Sequence, residues 1–191
     1  TTPLENYLKK QVGGLDVESK AFWQVYQKGL EELFERFPQV DGLMLRIGEA
    51  GSVYNRPGWD YRSRLLVRSV KSVQMMLRAF LDVAEAYNKT IVFRTWSVGV
   101  GEVGNIHTDP NKYARVLNEI ESDNLIVSTK FTKGDFWNHL PLNPTLFSGK
   151  HKRIIEMQAR REFEAFNIFP NYIAPLHRTA LYTFQRSNPN I

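Results

Sequence analysis

The sequence predicts an α/β fold built on a parallel sheet, and three observations predict it. Short, nearly continuous apolar runs occur at Leu43–Ile47, Ile91–Phe93 and Leu125–Val127. They alternate with longer segments whose apolar residues recur every three or four positions, so buried strands alternate with covering helices. Three of the runs also lead to a carboxylate. Leu43-Met44-Leu45-Arg46-Ile47-Gly48 leads into Glu49, Leu125–Lys130 leads towards Asp135, and Arg153-Ile154-Ile155 ends on Glu156.

The elements follow in a regular order. Glu18–Phe37 reads as a helix with Phe22, Tyr26, Leu30, Leu33 and Phe37 on one stripe, and Pro38 stops it. Gly42–Ile47 is a short strand. A long helix is expected over Tyr61–Asn88, its stripe running from Leu66 through Val73 and Leu77 to Tyr87. Thr90–Trp96 is the next strand. Asp109 followed by Pro110 pairs an N-cap with a first helical residue, which starts a helix over Asn111–Glu121. Leu125–Phe131 and Arg153–Gln158 are strands separated by a long Pro-containing loop, and Ala180–Gln185 reads as a last strand.

No repeat, low-complexity tract or linker divides residues 1–191, so one α/β unit is expected. The run Val98–Gly104 spells GxGxxG after a strand, but Asn105-Ile106-His107-Thr108 is no helix start, so it reads as a loop rather than a dinucleotide site. Acids at strand ends suit a (β/α)8 barrel, which gathers its chemistry at the C-terminal rim of the strands. A whole barrel takes roughly 250 residues. At 191 residues, the chain is expected to supply part of one, about four to five β/α units.

Composition bounds the function loosely. Hydrophobic residues make up 42% and charged residues 24%, an ordinary globular balance. The net charge of +5 is spread along helices without a basic block, so no nucleic-acid partner is expected; a mild positive field suits a small anion. No apolar run approaches about 18 residues, so no membrane span is expected. The absence of cysteine removes a thiol nucleophile and a cysteine metal site. His107, His139, His151 and His177 lack metal-ligand spacing, and neither metal nor cofactor is expected. The chain begins with Thr and shows no signal-peptide pattern, which suggests that an upstream segment was removed or that the chain is part of something longer.

Four stretches resemble the catalytic domain of the α-glucuronidases, inverting glycoside hydrolases that remove glucuronic acid from xylan fragments. They are Asp41–Gly51, Ile91–Trp96, Asp123–Val127 continued through Lys130 to Phe136, and Ile154–Gln158. Their order and intervals are similar from about residue 20 to residue 175. The resemblance implies that Glu49 is the general acid and that Asp135 and Glu156 are the candidate bases. Arg94 and Lys130, and less closely Arg46, would hold the substrate carboxylate. The sequence departs from the family pattern at Ala50 and around Lys133-Gly134, which bears on the exact sugar.

The residues support this chemistry independently. Hydrolysis of a glycosidic bond needs an acid at the leaving oxygen and a carboxylate on the other face, roughly 6.5–9.5 Å away for inversion and about 5–5.5 Å for retention. An acid on a fourth strand and a partner on a seventh is also a layout of many retaining glycosidases. Those usually carry Asn before the acid, where Gly48 stands here, so inversion is preferred. That registration would make the chain the later half of a barrel. Arg94, inside an apolar strand, must find an acid, because an unpaired buried charge is costly. Trp59, Trp96 and Trp137 can stack on sugar rings or fill the core. The expected partner is an acidic oligosaccharide, with a secreted or periplasmic location favoured over a cytoplasmic one. A second chain or an upstream segment would complete the barrel. Otherwise the chain is a non-catalytic carbohydrate-binding remnant.

Overall fold

The computed structural model describes residues 3–49, 65–137, 139–158 and 172–187. Four strands, β1 (Gly42–Arg46), β2 (Thr90–Arg94), β3 (Leu125–Lys130) and β4 (Lys152–Glu156), form one sheet. All three pairings are parallel, and the spatial order β1-β2-β3-β4 is the chain order. A doubly wound sheet reverses its order at a switch point where ligands bind. This sheet has no reversal among the described strands.

Among the described residues five helices accompany the strands: α1 (Pro3–Val12), α2 (Lys20–Arg36), α3 (Val70–Ala86), α4 (Pro110–Leu117) and α5 (Ala174–Ser187). Asp109 caps α4 as expected, accepting hydrogen bonds from the Asn111 and Lys112 amides at 2.9 and 3.2 Å. α3 starts later than the periodicity suggests. Ser69 accepts from the Ser72 amide, and the Ser72 hydroxyl in turn accepts from the Ser69 amide, a reciprocal cap that fixes the start at Val70. Leu66 and Val67 therefore lie before the helix, and residues 61–64 fall outside the described set, as do Ala50 and Trp59.

One further expectation is corrected, and one helix is new. Ala180–Gln185 is not a strand but the second half of α5. Its buried residues Ala180 and Phe184 stand four apart, and they pack with Phe131 and Leu146. Helical spacing thus overrides the local Tyr-Thr-Phe preference for strands. α1, unforeseen in the sequence, is a polar helix that buries Leu8.

Strand alternation divides the sheet into two unlike faces. Leu43, Leu45, Ile91, Phe93, Leu125 and Val127 point to the helices and join the main apolar cluster with residues of α1 to α4. On the other face the paired rows are Met44, Val92, Ile126 and Lys152, then Arg46, Arg94, Ser128 and Ile154. Met44 and Ile154 are exposed there, and the described apolar clusters take no sheet residue from this side.

The GxGxxG run folds as a structural loop. Gly101–Val103 is a single 3₁₀ turn, and Glu102 accepts from the Val70 amide at 3.0 Å and pairs with Arg115 at 2.5 Å. The loop thereby ties the start of α3 to α4.

Candidate active site

Parallel strands in chain order bring all their C-terminal ends to one rim. Arg46 ends β1, Arg94 ends β2, Lys130 ends β3 and Glu156 ends β4, while Glu49 follows β1 by three residues. The register sets Lys130 beside Glu156 and Arg94 beside Ser128, and alternation points all four to the uncovered face. Glu49 and Glu156 belong to strands three positions apart.

Gly48 delivers Glu49. Its φ of +99° lies in a region that side chains avoid, and a Cβ there would sit 2.7 Å from Leu65 Cδ2. That bend explains why glycine occupies this position.

Each predicted acid is joined to one predicted cation. Arg94 grips Glu156 with two nitrogens: Nε lies 2.9 and 3.0 Å from the two carboxylate oxygens, and Nη2 lies 2.7 Å from Oε2. The Ser128 hydroxyl adds a fourth contact, donating to Glu156 Oε1 at 2.8 Å. The expectation that Arg94 must find an acid is met. Lys130 pairs with Asp135, and Arg46 pairs with Glu49. Asp135 sits at φ +45°, a left-handed turn conformation that aspartate tolerates better than most residues.

Aromatic rings enclose Lys130. Its Nζ lies 3.6 Å from the centroid of Trp96 and 4.3 Å from that of Phe136, distances at which a cation is attracted to the ring face. Lys130 is only 5% exposed. Burial pushes its pKa below the usual lysine value, and Asp135 opposes that shift.

Trp96 is nearly buried and meets the ring of His107 at 4.4 Å. His107 is 4% exposed, and its Nδ1 has no hydrogen-bond partner. Burial, then the charge of Lys130, lower its pKa from 6.5 to about 4, and Glu49 pulls weakly the other way. His107 is therefore neutral near pH 7. Asn143 locks this assembly from below, donating to the carbonyls of His107 and Lys130 at 2.5 and 3.0 Å. Trp137 follows Asp135 by two residues, and its ring meets His139 edge-on at 5.2 Å.

The structure thus joins the three acids named from the sequence to three of the named cations, and sets Ser128, Phe136, His107 and Asn143, not named from the sequence as site residues, beside them. Ser128 carried a signal, since it stands two residues before Lys130 on the same strand face. His107 was weighed only as a metal ligand. Among the described residues no group of three His, Cys, Asp or Glu side chains is placed to hold a metal, and no helix is long and apolar enough to cross a membrane.

No protein-family model matches the chain, and no curated protein matches it.

Proposed function

We propose that this chain carries the catalytic rim of a glycoside hydrolase that removes an α-linked uronic acid, of the glucuronic acid type, from plant polysaccharide fragments such as those of xylan. The observation that carries the reading is the set of three cation–carboxylate pairs at the C-terminal ends of one parallel sheet. Such an assembly supplies acid and base groups together with cations for a sugar carboxylate. The sequential parallel strands suit the later half of a (β/α)8 barrel, whose interior would be the uncovered face.

In this reading Glu49 leaves Arg46, takes a proton from solvent and donates it to the glycosidic oxygen as the bond to the anomeric carbon breaks. Glu156 or Asp135 takes a proton from a water whose oxygen bonds to that carbon from the opposite face. The products are a free uronic acid and a shortened fragment with a new hydroxyl. Three strand spacings of about 4.8 Å separate the β1 and β4 axes by about 14 Å, and two glutamates reaching inward shorten that towards the roughly 6.5–9.5 Å of inverting enzymes. Arg94 and Lys130 would orient the uronate carboxylate, with Arg46 beside Glu49, and Trp96 and Trp137 would border the sugar.

The test is release of glucuronic acid from aldouronic acids by the wild-type chain and by Glu49→Gln. A loss of at least about 10²-fold in kcat is expected for removal of a general acid. Undiminished turnover in the variant would end the assignment. Proton NMR of the first product distinguishes inversion, which releases the β-anomer, from retention with Glu156 as nucleophile.

The uncovered sheet face favours a second reading, in which the site works only after another chain or segment completes the barrel. Glucuronate binding without turnover by the 191-residue chain would support it.

A further inference from the structure

The three pairs have a consequence for how a substrate anion enters. Each cation that should hold a sugar carboxylate already holds one of the protein's own: Arg94 has Glu156, Lys130 has Asp135, and Arg46 has Glu49. Among the described residues these six groups form three closed pairs at the strand ends, with neutral His107 beside them. Pair by pair these charges cancel one another. A carboxylate seated on Arg94 or Lys130 takes that cation from its present partner.

We propose that a uronate binds by ion-pair exchange, its carboxylate displacing Glu156 from Arg94 and Asp135 from Lys130, so that both acids are released as the sugar is seated. This rests on the uronic-acid reading above. The geometry indicates which partner moves. Lys130 rises from a strand and is held between Trp96 and Phe136, whereas Asp135 hangs from a turn and is about one-third exposed. Asp135 therefore swings and Lys130 stays. Arg94 and Glu156 are both strand-borne, with side chains 19% and 15% exposed. The planar guanidinium fork can grip a second carboxylate in the same bidentate way.

Exchange also couples binding to protons. Glu156 bound to Arg94 has both carboxylate oxygens occupied. Once the guanidinium turns to the substrate, Glu156 keeps the Ser128 hydroxyl but loses its counter-charge in a partly buried place. A carboxylate so deprived becomes a stronger base and takes up a proton in mildly acidic solution. Proton uptake would thus accompany binding only when the anionic sugar is present. A neutral sugar, lacking the displacing group, would leave Glu156 and Asp135 tied.

Isothermal titration calorimetry tests this with D-glucuronate and D-glucose as probes, on the wild-type chain, Glu156→Gln and Asp135→Asn. Titrations at pH 5.5 in two buffers of different ionisation enthalpy report proton exchange, and circular dichroism confirms that each variant is folded. Glucuronate is expected to bind the wild type with net proton uptake. Glu156→Gln, with no competing carboxylate on Arg94, should bind glucuronate about tenfold tighter with less uptake, as expected for relief of a close charge pair. Asp135→Asn should shift in the same direction, and neither variant should bind glucose tighter than wild type does. If folded Glu156→Gln and Asp135→Asn bind glucuronate no tighter than wild type, or no proton is taken up, exchange is overturned while the uronate reading stands. If no folded form binds glucuronate, that reading falls and the exchange falls with it.

Discussion

Replacing His107 by phenylalanine probes the electrostatics of the rim through stability rather than turnover. His107 is almost wholly buried against Trp96, with Lys130 close by, and its pKa is lowered to about 4. In the unfolded chain a histidine titrates near 6.5. Between these values the unfolded state holds a proton that the folded state refuses, so folding stability falls as pH drops from about 6.5 to about 4. Each pKa unit is worth about 1.4 kcal/mol, so the full loss is about 3 kcal/mol, most of it reached by pH 4.5. Phenylalanine keeps a ring against Trp96 and forfeits no bond at Nδ1, which has none. Its larger ring costs about 1 kcal/mol from overpacking, equally at every pH. Urea unfolding of both proteins from pH 7.5 to 4.5 reads the difference. The wild type should lose about 2–3 kcal/mol more than the variant across that range. Carboxylate titration affects both alike and cancels. Parallel curves would show that His107 accepts a proton in the folded state, and that burial beside Lys130 does not hold it neutral.

Other perturbations address the frame of the site. Arg94→Ala should cost about 2–3 kcal/mol in urea unfolding, somewhat below the loss for a fully buried pair, because both side chains keep some water contact. A cost under about 0.5 kcal/mol would mean the pair contributes no more than an ordinary surface bridge. Gly48→Ala should cost about 1–3 kcal/mol, since it forces a side chain into a left-handed bend and against Leu65. An unchanged melting temperature would show that the bend relaxes freely.

The strands and the acids were legible because both are written locally. Gly42–Arg46, Leu125–Lys130 and Lys152–Glu156 are short apolar runs closed by charges, and Asp109-Pro110 carries its own start signal. What escaped depends on non-local geometry. Tyr182, Thr183 and Phe184 favour a strand locally, but Ile173, His177, Ala180 and Phe184 recur every three or four residues and require a helix once Phe131 and Leu146 are there to receive it. Ser72 stands where a capping box usually has Glu or Gln, so the start of α3 was hidden. His107 and Asn143 lie far from the strand ends in sequence, and only the folded loops bring them under Trp96 and Lys130.

The one-sided sheet bears on the protein's behaviour at high concentration. β1 and β4 are the outer strands of the described sheet, and their free backbone groups are templates for another strand. On the uncovered side β1 presents Arg46, and β4 presents Lys152 and Glu156. A parallel, in-register pairing of two β1 borders would bring Arg46 of one molecule against Arg46 of another, and one of two β4 borders would crowd Lys152 against its own copy. The charges that define the rim therefore also discourage indiscriminate stacking, and they leave these borders open to a strand bearing complementary charges.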